Sequence, residues 1–190
     1  MASERTPAFL LRRLARRAAS GDARAFRSLY RALHPTVHAY FAARTSDIAD
    51  AEDFTAEVFH RVVQRIATYD PERGSPRAWV VSIARNLFID ALRAAPANAT
   101  PITDVEARLA DASLLDAEDD EHRQRLRAAL ADYEPRVREM FALRYGDGLR
   151  VREVAQVLGE SEAAVKQRFA RTLRELKARL AAPKEVVHAL

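Results

Sequence analysis

The sequence contains no cysteine and only five glycines in 190 residues. The first absence excludes disulfides, thiolate zinc sites, iron–sulfur clusters and a cysteine nucleophile. The second leaves little for a phosphate-cradling loop or for the many turns of an all-β fold. No apolar run approaches the ~18 residues of a membrane span, so no membrane insertion is expected. The first residues carry arginines but no uninterrupted apolar stretch. They therefore predict no signal peptide and a cytoplasmic location. No Walker, nucleophile-elbow or dinucleotide fingerprint occurs. Histidines 34, 38, 60, 122 and 188 are scattered. His34 and His38 have ligand spacing on a helix, but Pro35 lies between them and no third ligand accompanies them. Asp53 and Glu57 sit one turn apart, yet acid–base chemistry would need burial that a first-turn position does not give. Neither an enzyme nor a metal or cofactor site is expected.

Alanine supplies about a fifth of the chain, and with Leu, Arg and Glu it makes helix-forming material. Hydrophobic residues at 48% suffice for cores. The expected fold class is all-α. The net charge of +4 hides a partition. Residues 1–93 hold 15 basic and 10 acidic groups, residues 94–125 hold 3 and 8, and residues 126–190 hold 13 and 9. Two basic blocks flank an acidic segment. Basic blocks suit phosphates, because each neutralised phosphate releases counterions. Residues 94–120 contain Pro96 and Pro101 and end in an acidic run, which reads as a tether.

In the first block, Gly21-Asp22 is a break followed by an N-cap. Ala25, Phe26, Leu29, Tyr30 and Leu33 then recur at helical spacing. Pro35 is expected to interrupt, with Val37, Tyr40 and Phe41 on a second helix. SDIADAED (46–53) starts another helix, with acidic residues suited to its dipole and an apolar stripe of Val58, Val62, Val63 and Ile66. Residues 69–75 form a loop, and Pro76 opens a helix to Arg93. On that helix Val80, Ile83, Ala84, Leu87 and Ala91 share a face, while Ser82, Arg85, Asn86 and Arg93 lie opposite. Two readings stay open here. Trp79 and Asn86, beside a loop rich in Arg and Ser, could hold unstacked bases, or Trp79 is core and Asn86 is simply exposed.

In the second block, helices are expected over 125–133 and 135–145, with Gly146-Asp147-Gly148 as a stop. Val151, Val154, Ala155 and Leu158 make a short amphipathic helix, and Gly159 supplies a turn. Ser161 then caps a long helix with Val165, Phe169, Leu173, Leu176 and Leu180 as its apolar face. This is a helix-turn-helix pattern. Opposite the stripe lie Ala163, Ala164, Gln167, Arg171 and Arg174, with Lys166 at the margin. Two small residues permit close approach to a groove floor, and Gln and Arg carry the paired hydrogen-bonding groups that base edges require. The alternative is a basic, solvated helix on a bundle.

These segments, in this order, resemble the extracytoplasmic-function (ECF) group of bacterial RNA polymerase sigma factors, over nearly the whole of residues 18–180. Gly21-Asp22 with Ala25-Phe26 resembles the opening of the σ2 domain. DAEDFTAEVF (50–59) is similar to the helix that docks on the β′ clamp helices. Arg73-Gly74-Ser75-Pro76-Arg77-Ala78-Trp79 with Ile83-Ala84-Arg85-Asn86 and Asp90 resembles the −10 reading segment. Arg144-Tyr145, Gly148-Leu149, Val154-Ala155 and Val165-Lys166-Gln167-Arg168 resemble the σ4 domain, which binds the −35 element.

The resemblance implies two small helical domains, σ2-like over 1–93 and σ4-like over 123–181. An acidic flexible linker over 94–122 would join them, and 182–190 would be a tail. It implies a sigma factor that binds core polymerase and directs promoter recognition, melting and initiation. Asp50, Glu52, Asp53 and Glu57 would bind core. Arg73, Gly74, Ser75, Arg77, Trp79, Arg85 and Asn86 would handle a melted −10 element, with Trp79 bracing the loop from the core side. Ser161, Ala163, Ala164, Lys166, Gln167, Arg168, Arg171 and Arg174 would serve the duplex −35 element. Gln167 and Arg171 would meet bases there, and Arg168 and Arg174 phosphates. The β′ clamp helices, the β flap, promoter DNA and an anti-sigma factor are the partners it implies. Ala56 stands where the family commonly has glutamine, and Pro76 where an aromatic often precedes the arginine. A free-standing helix-turn-helix regulator, with residues 1–93 as a dimerisation or ligand module, is the competing class.

Overall fold

The computed structural model describes residues 6–45, 47–94 and 128–181, all helices and connections with no strand among them. The expected linker lies outside the described residues except for Ala94, which ends a helix, and so does the tail. Helix α1 (Ala8–Ala19) packs on α2 (Ala23–Ala42), α2 on α3 (Ile48–Arg65), and α3 on α4 (Pro76–Ala94). In the second half, α5 (Pro135–Phe141) runs into a π-helical stretch (Ala142–Gly146), followed by α6 (Val151–Leu158) and α7 (Glu162–Ala181).

Local chemistry sets the helix starts. Asp22 accepts the Arg24 and Ala25 amide N–H groups, both at 2.9 Å, and Asp47 accepts that of Ala49 at 3.0 Å. Each satisfies N–H groups that an isolated helix leaves orphaned. The Asp22 carboxyl is held below its usual range, first by the Ala25 N–H bond and then by Arg17. The left-handed backbone of Gly159 (φ +68°) ends α6 and makes the sharp turn into α7.

Two expectations are corrected. Pro35 does not divide α2, which continues through it from Ala23 to Ala42. Proline removes one hydrogen bond, but buried Leu29, Leu33, Val37, Tyr40 and Phe41 hold the turns on both sides of it. Leu173 is 44% exposed, whereas Thr172 is buried. Steps of four residues drift by about 40° each around a helix, so a face through Val165 and Phe169 returns to Thr172 and Leu176.

The buried side chains of both halves join in one continuous core. Phe41 lies at its centre in the first half, its ring 5.0 Å from Phe54 and 6.2 Å from Phe88. Truncating such a fully buried phenylalanine costs about 3–5 kcal/mol. Helix α4 is buried on more than the one face expected, including Arg77, Val81 and Phe88. It packs against α6 as well as against α3 and α2.

Candidate nucleic-acid and polymerase interfaces

Helix α7 stands on Val165, Phe169, Thr172 and Leu176, all buried. The Ser161 hydroxyl accepts the Ala164 N–H at 3.2 Å and so caps its start. Ser161, Ala163, Ala164, Lys166, Gln167, Arg171 and Arg174 are exposed. Lys166 pairs with Glu162 at 2.7 Å, and Arg171 approaches Glu175 at 3.9 Å. Arg168 differs from these. It is half-buried and donates to Glu160 at 2.6 Å, and Arg136 donates to the same carboxylate at 3.0 Å. Partial burial raises the Glu160 carboxyl, but the two guanidiniums outweigh it and hold the group below its usual range. Arg168 thus belongs to the brace that fixes the turn before α7.

The loop before α4 is ordered by Tyr69, a residue the sequence reading passed over. Its hydroxyl donates to the Gly74 carbonyl at 2.9 Å, and its ring lies 5.4 Å from that of half-buried Trp79. A tyrosine at a loop's edge with a tryptophan ten residues on was the available signal. Arg73 projects outward, its side chain 88% exposed, with Asp70 at 3.8 Å. Asn86 is exposed on the open side of α4. Ser75 and Arg77 are buried, and Arg85 is half-buried.

What buries this segment comes from the other half of the chain. Ser75 Oγ donates to Glu153 Oε1 at 2.6 Å, and the Ser75 N–H donates to Gln156 Oε1 at 3.2 Å. Arg85 donates to both oxygens of Glu139, at 2.5 and 3.0 Å. Glu153 also accepts the Arg150 N–H at 2.8 Å, which fixes the start of α6. None of Glu139, Glu153 and Gln156 has a motif-like signature.

On α3, Asp50, Glu52 and Asp53 are exposed. Glu57 is half-buried, 2.7 Å from Arg61 and 3.7 Å from His60. The Arg61 hydrogen bond holds its carboxyl below the usual range, against slight burial. Beside them a groove of about 540 Å³ runs between α2 and α3, lined by Tyr30, His34, Pro35, His38, Glu52, Thr55 and Ala56. The His34 ring stacks on His38 at 6.1 Å and on Phe59 at 6.0 Å. Among the described residues no helix is long and apolar enough to cross a membrane.

Residues 29–96 match the family Sigma-70 region 2, and residues 123–176 match Sigma-70, region 4. The chain is 35% identical over 178 residues to the ECF RNA polymerase sigma factor BldN of Streptomyces coelicolor, a match covering 86% of this chain and 63% of BldN. It is 29% identical over 172 residues to the ECF sigma factor SigK of Mycolicibacterium vanbaalenii, covering 86% of each. Among solved structures, CnrH in complex with the cytosolic domain of CnrY aligns with a TM-score of 0.61 and 27% identity, over 90% of this chain and 97% of CnrH. The chain belongs to the sigma-70 family, in its ECF group. It is a sigma factor, a non-catalytic subunit that directs RNA polymerase in promoter recognition and transcription initiation.

Proposed function

We propose that the two halves divide the promoter between them. Residues 123–181 take the duplex −35 element and residues 1–93 take core polymerase and the melted −10 strand, with 94–122 as linker and 182–190 as tail. The observation that carries this reading is the exposed face of α7, whose small alanines, Gln167 and Arg171 are presented on a capped and buried base. A helix of that composition enters the major groove by its N-terminal half. Gln167 and Arg171 read bases there, Lys166 lines the groove edge and Arg174 serves phosphates. Arg168 stiffens the turn in addition to the phosphate role expected for it.

Exposed Arg73 and Asn86 support capture of an unstacked −10 base, with Gly74, Ser75, Arg77 and Arg85 completing the pocket and Trp79 bracing it. Unstacking costs a few kcal/mol, which such contacts offset. The α2–α3 groove beside Asp50, Glu52, Asp53 and Glu57 suits an amphipathic helix with basic residues, which supports docking on the β′ clamp helices. The β flap is the partner for the σ4-like half. The structure of CnrH with the cytosolic domain of CnrY supports an anti-sigma partner here too. Work on polymerase sets the cytoplasm as the site of action.

The test is size exclusion with core polymerase, followed by transcription in vitro from a genomic library with start-site mapping. Co-migration with core and a shared −35/−10 pattern among the starts are expected. Operator binding as a core-independent dimer overturns the reading.

A further inference from the structure

The groups that the second half places on the −10 segment have the chemistry of the strand that the segment is proposed to hold. Glu139 sets both carboxylate oxygens on the Arg85 guanidinium, as a phosphate would. The Gln156 carboxamide carries a carbonyl acceptor and an NH₂ donor, the pair that nucleobase edges present. Its oxygen accepts the Ser75 N–H, and it fills the space left open by Gly74. A Cβ at position 74 would lie 1.8 Å from Gln156 Oε1. Glu153 takes the Ser75 hydroxyl. Helices α5 and α6 thus cover the inner part of the pocket, while Arg73 and Asn86 stay exposed at its rim.

We infer that the σ4-like half closes on the −10 pocket as an intramolecular mimic of the promoter strand, so that the free factor cannot capture single-stranded DNA until its halves separate. This rests on the −10 reading proposed above. Strand and latch compete for Arg85, Ser75 and the Gly74 notch, and binding is weakened by the fraction of chains that are closed.

The absence of cysteine allows the full chain to be dye-labelled at Arg31→Cys and Lys177→Cys, one exposed site on each half. Energy transfer reports closure. Anisotropy of a fluorescein-labelled random-sequence single-stranded 12-mer, on unlabelled chains, reports the pocket. Glu139→Gln with Gln156→Ala is expected to lower transfer and to raise DNA affinity about tenfold, as when a tenth of the free chains are open. Glu134→Gln removes the same charge at an exposed position outside the contact and is expected to do neither. Arg85→Glu and Glu139→Arg are each expected to open the chain and together to reclose it, a rescue that simple misfolding would not show. Wild-type transfer no higher than that of the double variant overturns the inference, as does opening with no gain in DNA affinity. Asn86, outside the contact, separates that last result from failure of the −10 reading. In the opened chain Asn86→Ala weakens DNA binding where the reading holds, and changes nothing where the reading itself is at fault.

Discussion

Asp147 and Arg44 lie 103 residues apart in the chain, yet the carboxylate meets the guanidinium at 3.1 Å. Both side chains are only 3% exposed. Arg44 also donates to the Tyr40 carbonyl at 2.7 Å and lies 3.5 Å over the Tyr40 ring. Burial pushes the Asp147 carboxyl up, and Arg44 opposes that shift. This pair ties the Gly146-Asp147-Gly148 stop to the end of α2.

Removing one partner of such a pair strands the other. Asp147→Ala is expected to lower the unfolding free energy by about 3–5 kcal/mol. Replacing both partners, as Arg44→Met with Asp147→Leu, should restore most of it, because an apolar pair of similar volume is often neutral. Urea titration of the three chains checks this. A single variant as stable as wild type would show that the pair is hydrated in solution.

The same corner predicts an alkaline response. Burial pushes the Tyr40 phenol up to about 12, with Arg44 opposing, whereas an unfolded tyrosine ionises near 10. Between those values the unfolded chain loses a proton that the folded chain keeps. Stability is therefore intact below about pH 10 and falls by up to ~1.4 kcal/mol per pH unit until about pH 12. Burial also raises Tyr69, which adds to the slope. Urea midpoints from pH 9 to 12 should fall less steeply for Tyr40→Phe.

How much of this was legible depended on range. Asp22, Pro76, Ser161 and Gly159 act within a few residues of themselves, and their caps and turns stand where the sequence put them. The ordering of helices and the exposed face of α7 followed from periodicity. Pro35 misled because a local penalty was outweighed by distant packing. Arg44, Asp147, Glu139, Glu153 and Gln156 were invisible for a related reason. A charged residue looks solvated until its partner, tens of residues away, is brought against it. The burial of Ser75 and Arg77 was missed on the same ground, since the covering helices come from the other half.

For the −35 element, Arg171→Ala is expected to cost about 1–3 kcal/mol and to relax specificity at one or two positions. Lys166→Ala should weaken all sequences alike and reduce the salt slope. Transcription from a panel of −35 variants separates the two outcomes. Uniform loss with Arg171→Ala would make it a phosphate contact.

For the clamp surface, Asp53→Lys with Glu57→Lys places like charges against a basic partner. Association with core should slow on the order of tenfold at low salt, and less as salt rises. Stopped-flow mixing with labelled core measures it. An unchanged rate removes α3 from the interface.

Asn86 carries the sharpest prediction for promoter melting. It sits on the exposed side of α4, beyond the residues that the second half covers, so its role does not depend on core packing. Asn86→Ala should leave the unfolding midpoint, core affinity and duplex −35 binding unchanged. Open-complex formation on duplex promoters should fall, by about 1–3 kcal/mol if one base-edge contact is lost. A template with a pre-melted −10 bubble no longer requires unstacking, so it should recover much of the deficit. Permanganate footprinting on duplex and bubble templates reads both quantities. Equal deficits on the two templates would mean that Asn86 acts after melting. No deficit on either would leave it an exposed helix residue, and the strand-capture role would pass to Arg73 alone.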